Sequence, residues 1–476
     1  MNKSNNKEVV SLHPQNPRYF IYNGEPTVLI TSTEHYGAVT NAAFKYEEYL
    51  DMLQSYGFNL SRVIVLMRET ETDFKGYLGY QNTLCPTPEN YVAPWKRSQV
   101  PGGVDGGNKF DLDIWNDAFF ERLKDFCRKA GERGIIVEIT FFNQYYNNKE
   151  DSPWTLSILN TENNINGVGA TSYNRFNGCE NKQLLERQEA LVRKVVVEMK
   201  EFDNIYYEIC NEPPYPKPED PQVIPVDHPH VLGEKAISQW QNYVLSVIMD
   251  VETEFDCKHM ISVGDPHESI DFGKFSIFNY HYRRFADAGL KSHYCHKKPL
   301  AIDETLTGIV SWNREMDFDG RRKEAWELFM SGFSVYDYLD FTIATDDPRG
   351  EGNAEFPGGY FYDGTMMRFY LKYLKDFIQS FDFIKMVPDN SVIKNIPTTS
   401  RAFALVEKGK AYAVYINGSA LKCVTIYLPE GCYRAEWYNP ITGNVDIIQE
   451  NIIGGKDVML ELHLYHTDIA LKIIAV

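Results

Sequence analysis

The sequence predicts an α/β fold: a (β/α)8 TIM barrel followed by a small all-β sandwich. Three observations predict it. Short apolar runs alternate with longer helical patterns eight times before residue 388. Strict alternation implies parallel strands joined by right-handed crossovers, and eight repeats close into a barrel more readily than they form an open sheet. From about Pro388 the pattern changes to short alternating runs separated by Gly, Asn and Pro turns.

The elements follow in order. Apolar runs flank Asn23-Gly24, a pair suited to a two-residue hairpin turn, so a hairpin leads into strand one at Val28 to Ile30. A helix from Phe44 to Tyr56 precedes strand two, Leu60 to Met67, and a long Gly/Pro-rich loop runs on through Trp95 and Gly107. Helix Asn116 to Arg133 and strand three, Ile135 to Phe142, come next. An Asn-rich loop, 143 to 178, leads to helix Lys182 to Glu201 and strand four, Ile205 to Ile209. Helix Glu234 to Phe255 is followed by strand five, His259 to Val263, strand six, Phe275 to Tyr280, and strand seven, Pro299 to Asp303. Helix Arg321 to Val335, strand eight, Tyr338 to Ala344, and helix Thr365 to Phe381 complete the set. The predicted domains are therefore 1–387, a barrel with an N-terminal hairpin, and 388–476, an accessory β-sandwich.

Composition narrows the function. The formal charge of −18 repels phosphate backbones and argues against a nucleic-acid partner, whereas neutral sugars are indifferent to it. The 31 Tyr, 28 Phe and 7 Trp supply flat faces for stacking on a pyranose, although most such rings fill a core. Eight cysteines without paired spacings are expected to be reduced and mostly buried. No stretch reaches a membrane span, and the N-terminus lacks an apolar leader, which read literally places the chain in the cytoplasm; a cleaved signal peptide would make it periplasmic or secreted. Oligomeric state leaves no local signature.

In a barrel the chemistry sits at the C-terminal ends of the strands. Strand four ends Tyr206-Tyr-Glu-Ile-Cys-Asn-Glu-Pro213, and strand seven ends Leu300-Ala-Ile-Asp-Glu304. Glu212 and Glu304 thus finish two strands on one rim, about three βα units of roughly 30 residues apart, which sets them across the mouth from each other. Paired carboxyl groups so placed can protonate a leaving glycosidic oxygen and attack the anomeric carbon or activate water. Glu208, one layer deeper on the same face, reads as a buried carboxylate paired with Arg62; Glu138 shares that ambiguity.

The segment Asn211-Glu212-Pro213 with a strand-seven Glu304 resembles the clan of retaining (β/α)8 glycoside hydrolases that includes the family 5 cellulases and mannanases. Gly57-Phe-Asn-Leu-Ser-Arg62 is similar to that group's Gly-x-Asn-x-x-Arg pattern, Asn279-Tyr-His-Tyr282 to its strand-six segment, and Trp437-Tyr-Asn-Pro-Ile-Thr-Gly443 to the C-terminal β-module of some bacterial members. The resemblance implies a retaining O-glycoside hydrolase acting on a β-linked oligo- or polysaccharide without a cofactor. It makes Glu212 the acid/base, Glu304 the nucleophile, Asn211 a donor to the sugar 2-hydroxyl, and His281 or Tyr282 a neighbour tuning the carboxylates. The sequence departs from the family in Asn143, where many members have histidine, and in strand eight, which lacks a tryptophan platform.

Other residues carry two readings. Arg62 favours an ionised nucleophile. His35, after strand one, can bond a sugar or serve structurally. Trp154 and Trp312 fall on predicted βα loops and read as stacking platforms, Trp326 as core, and Trp95 as either. Glu34, Glu69 and Asp346 are weaker substrate contacts. The rival functions are a non-catalytic carbohydrate-binding barrel and a metal-dependent amidohydrolase. For the latter, His228-Pro-His230 lies in a loop after strand four rather than ending strand one. No metal is expected.

Overall fold

The structure is a computed structural model that describes residues 9–68, 82–145, 153–214, 232–267, 269–281, 293–305, 318–352, 354–356, 360–362, 364–418, 421–462, 465 and 467–476. Eight parallel strands form its centre: β1 (Leu29–Thr33), β2 (Leu60–Ile64), β3 (Ile136–Asn143), β4 (Ile205–Asn211), β5 (Ile261–Gly264), β6 (Ile277–His281), β7 (Leu300–Glu304) and β8 (Val335–Leu339). Backbone ladders link them in the order β1-β8-β7-β6-β5-β4-β3-β2. At the remaining seam, between β1 and β2, one long backbone bond from Ile64 N to Tyr36 O at 3.5 Å is supplemented by side chains. The Asn59 amide accepts from Ile30 N at 3.2 Å and donates to Val28 O at 2.9 Å, and the Thr31 hydroxyl donates to Leu60 O at 2.6 Å. The predicted barrel is therefore present.

Among the described residues six helices of ten residues or more cover it: α1 (Tyr46–Ser55), α2 (Asp117–Glu132), α3 (Lys182–Met199), α4 (Glu234–Phe255), α5 (Phe318–Met330) and α6 (Gly364–Gln379). Each buries a stripe; α2 sinks Phe119, Phe120, Leu123, Phe126 and Cys127. Asn181 caps α3 by accepting from Leu184 N, and α4 ends where Asp256 turns left-handed at φ 51°.

The barrel interior is layered. Its lower ring is apolar, with Leu29, Leu60, Ile136, Tyr206, Ile277 and Val335 packed on Phe20 and Tyr22 of the N-terminal hairpin. That hairpin turns at Asn23 and Gly24, both at positive φ, as the sequence predicts. The ring above carries Arg62, Glu138, Glu208, Asn279, Asp303 and Asp337, all buried.

Several expected boundaries shift. Strand eight was expected at Tyr338 to Ala344 but occupies Val335–Leu339; Gly332 (φ 91°) ends the preceding helix early, so Phe333 onward enters the barrel. The stretch expected as loop through Trp95 and Gly107 contains an antiparallel ribbon, Trp95–Pro101 with Asn108–Trp115, whose turn the glycines supply. The eight cysteines are free; Cys127 and Cys210 are buried, and the others are partly or fully exposed, fewer buried than expected.

The C-terminal strands are β9 (Arg401–Glu407), β10 (Ala411–Asn417), β11 (Cys423–Leu428), β12 (Cys432–Tyr438), β13 (Val445–Ile453), β14 (Lys456–Glu461) and β15 (Asp468–Ala475). One sheet runs β9-β10-β15-β12-β13, with Val387–Pro388 added beside β9; the other pairs Ile393–Asn395, β11 and β14. Between them lies an apolar core that includes Val414, Val424, Trp437 and Leu471. The first sheet packs on α5 and α6, where Trp326 stacks on Tyr415 at 5.3 Å and the buried Arg322 guanidinium meets Asp468 at 2.7 Å.

Candidate active site

The strand ends deliver two carboxylates to one place. Glu212 follows β4, and Glu304 ends β7; oxygens of both lie with a nitrogen of His281 inside a set spanning no more than 4.8 Å. Glu212 is 8% exposed and Glu304 6%, so the pair sits within the barrel mouth, open to a small contact surface. Backbone geometry aims them. Glu212 adopts φ 45°, and Tyr36 and Asp265, which follow β1 and β5, also have positive φ, a conformation that costs non-glycine residues about 1–3 kcal/mol and collects at functional sites.

On β7 the aiming device is a bulge. Asn279 pairs with Ala301 but His281 pairs with Glu304, so one extra residue is inserted in β7 relative to β6. Simple alternation would turn Asp303 and Glu304 to opposite faces. With the bulge, both meet Arg62: Asp303 at 3.2 Å and Glu304 at 3.4 Å.

Arg62 organises the floor of the site. Its Nη2 donates to Asn211 Oδ1 at 2.9 Å and to Glu208, and its Nε donates to Thr140 Oγ1 at 3.3 Å. Glu208 also accepts from Thr140 Oγ1 and Asn279 Nδ2, each at 2.8 Å, while Glu138 accepts from Tyr206 at 2.9 Å. Burial raises the Glu208 carboxyl against the opposing Arg62 charge, and burial with Asp303 and Glu208 raises Glu138 further. Burial also works on Asp303, but Arg62 and His281 outweigh it and hold Asp303 below the ordinary carboxyl value. Glu208 is therefore the deep partner of Arg62 that the sequence suggests.

His281 links the floor to the rim. Nε2 lies 2.7 Å from Asp303 Oδ1, and Nδ1 lies 3.3 Å from Glu212 Oε1 and 3.9 Å from Glu304. Burial opposes its charge, yet Asp303 and Glu304 raise it well above the usual imidazole value. Asn211 Nδ2 donates to Asn143 Oδ1 at 2.9 Å, so the residue standing where many family members have histidine holds the asparagine beside Glu212. Gln144 Nε2 donates to Glu212 Oε2 at 3.1 Å.

The structure thus brings together Glu212, Glu304, Asn211, Arg62 and His281. It places His35 beside them but buried, with its ring against Phe341 and Tyr36, and burial pushes its imidazole down to about 3, so it is neutral. Trp154 corrects its expectation as a platform: it is buried, its Nε1 donates to Thr171 O at 3.2 Å, and Tyr145 and Phe176 cover its ring. Trp95 is also core, stacked on Trp115, as is Trp326. Glu34 is turned into its own loop, accepting from Gly37 N and Ala38 N, and burial raises it to about 8. Tyr282, Trp312, Glu69, His228 and His230 lie outside the described residues. Asp303 and Gln144 join the site without having been singled out; the run Asp303-Glu304 and the polar end of β3 were the available signals.

Two acidic sets here have cation-binding spacing, Glu212–His281–Glu304 and Glu138–Glu208–Asp303. Arg62 already supplies the positive charge that the second set requires.

No protein-family model and no curated protein matches the chain. Among solved structures, a glycoside hydrolase of family 5 from Bacteroides vulgatus superimposes over 98% of this chain and 93% of its own, with a TM-score of 0.61 and 14% identity. The fold is that of this family 5 structure. A further structure described as a glycoside hydrolase covers 98% of this chain and 97% of its own at a TM-score of 0.60 and 14% identity. Both alignments run through the barrel and the β-sandwich alike. No helix among the described residues is long and apolar enough to cross a membrane.

Proposed function

We propose that the chain is a retaining O-glycoside hydrolase of β-linked sugars. The observation that carries this reading is the pair Glu212 and Glu304, with carboxylate oxygens no more than 4.8 Å apart on opposite strand ends. Retaining enzymes need carboxyl groups about 5–5.5 Å apart, whereas inverting enzymes leave about 6.5–9.5 Å for a water.

In this reading a Glu304 oxygen attacks the anomeric carbon while Glu212 gives its proton to the departing glycosidic oxygen. The C–O bond to the leaving group breaks as the bond to Glu304 forms. Glu212, then a carboxylate, takes a proton from water, and the resulting hydroxide displaces Glu304 from the sugar. Arg62 keeps Glu304 anionic before attack. His281 sets the orientation of Glu212, and Asn211 faces the sugar 2-hydroxyl with the amide proton that Asn143 leaves unused. Residues 1–387 form the catalytic unit in this proposal, and 388–476 an accessory domain anchored on α5 and α6.

Hydrolysis of aryl α- and β-glycosides, with the anomer of the first product read by NMR, tests the proposal. Retention that disappears in Glu304→Gln supports it. Inversion, or equal activity in both proteins, overturns the assignment, and activity abolished by a chelator would instead favour a cation at Glu212, His281 and Glu304. A folded protein that binds polysaccharide without turnover would be the carbohydrate-binding alternative.

A further inference from the structure

At the opposite end of the barrel, where α4 passes into β5, three different donor types converge. Glu252 lies in the last turn of the helix. The left-handed Asp256 then folds the chain back so that Cys257 and His259, two residues apart, return over that turn. One donor atom from each of Glu252, Cys257 and His259 lies within 4.8 Å of the others. Glu252 and His259 are buried, whereas Cys257 is half-exposed and leaves a path from solvent.

Hydrogen bonding orients the His259 ring. Its Nε2 lies 3.0 Å from the Phe202 carbonyl, which can only accept, so Nε2 carries the proton. Nδ1 then faces Glu252 Oε1 at 2.9 Å, an oxygen that already accepts from His259 N at 2.8 Å. His259 is thus held at Nε2 by the Phe202 carbonyl and turns Nδ1 into the cluster. A backbone carbonyl on the far imidazole nitrogen is the usual outer partner of a metal-bound histidine.

A fourth group points the same way. Tyr207 is fully buried, its ring packs edge-on to His259 at 5.3 Å, and its hydroxyl has no hydrogen-bond partner. The charges acting on that hydroxyl come first from Glu252 and then from Cys257. A buried hydroxyl without a hydrogen bond is costly, and a ligand in the neighbouring space would relieve that cost.

We infer that Glu252, Cys257 and His259 form a structural zinc site at the base of β5, with the Tyr207 hydroxyl as its fourth neighbour. Mixed sulfur, nitrogen and oxygen donors suit a borderline ion with tetrahedral preference. The site stands apart from Glu212 and Glu304, because β5 runs from this end towards the catalytic rim, and its role is to pin the α4–β5 turn.

The test is a Co(II) titration of the full chain after dialysis against a chelator. The expected result is saturation at one equivalent, with tetrahedral visible bands and a thiolate charge-transfer band in the near ultraviolet, both displaced by Zn(II). Cys257→Ser removes the charge-transfer band, His259→Gln weakens binding by at least about tenfold, and Zn(II) raises the thermal midpoint of the wild type but not of either variant. A spectrum without saturation, or a charge-transfer band that survives in folded Cys257→Ser and so belongs to another cysteine, overturns the site.

Discussion

Asp303 lies 2.7 Å from His281, and a one-residue bulge brings its neighbour Glu304 to the same side. The imidazole facing Glu212 is thereby fixed by a carboxylate from the adjacent strand. Asp303→Asn is expected to lower kcat by about 10–100-fold with little change in KM, the usual scale for outer-shell groups that orient a working side chain. Steady-state kinetics on an aryl glycoside checks this; a change confined to KM would contradict it.

The same pair fixes a pH window. Stability contributed by Asp303 is present above the ordinary carboxyl value of 3.8 and is lost as pH falls through its lower folded value. Stability contributed by His281 is fully present below 6.5 and is lost as pH rises through its raised folded value. Thermal midpoints of wild type and His281→Gln should therefore differ most in mildly acidic solution and converge at alkaline pH.

Asp337 acts with the opposite sign from Asp303. Burial raises its carboxyl to about 8, so the folded chain holds a proton that the unfolded chain releases from 3.8 upward. Its contribution to stability declines with rising pH between those values. Asp337→Asn should flatten the fall in thermal midpoint over that interval; an unchanged slope would contradict the assignment.

Gly264 ends β5 where a Cβ would stand 2.8 Å from Cys210 O and 3.1 Å from Pro213. Gly264→Ala presses on the segment that carries Glu212. We expect a loss of about 1–3 kcal/mol in stability and a fall in kcat larger than that in a distant overpacked variant of equal stability.

The Arg322–Asp468 pair joins α5 to β15 with both side chains fully buried. Asp468→Asn removes the buried one of the guanidinium's two carboxylate partners and leaves only the exposed Asp319, a change expected to cost up to about 3–5 kcal/mol. Calorimetry should show a lower midpoint, with the barrel and sandwich transitions separating.

The alternation of elements made the barrel legible in the sequence, and rim position made Glu212 and Glu304 legible as well. What escaped depended on local departures from ideal geometry. The ribbon from Trp95 to Trp115 reads as loop because glycine and proline density marks both turns and loops. Strand eight slipped because the mixed run Phe333 to Tyr338 fits either a helix or a strand, and Gly332 decides between them. Trp154 lies in a one-turn helix, Pro153–Leu156, inside the stretch expected as loop, and that stretch folds on itself through Asn160, Asn163 and Asn164 and encloses the ring. That Asp303 and Glu304 share a side required the bulge, which a period-two pattern cannot express.

The Asn59 seam has a kinetic side. Seven joints of the ring are backbone ladders and resist opening cooperatively, whereas the eighth rests on an amide, a hydroxyl and one long backbone bond. The ring should therefore breathe at β1 and β2 first, and amide hydrogens there should exchange with solvent sooner than those of β4 or β7. Arg62 lies three residues beyond Asn59 on the strand that would move, so each opening would draw the guanidinium away from Glu304. The barrel's easiest opening and the Arg62–Glu304 ion pair would then both hang on one asparagine.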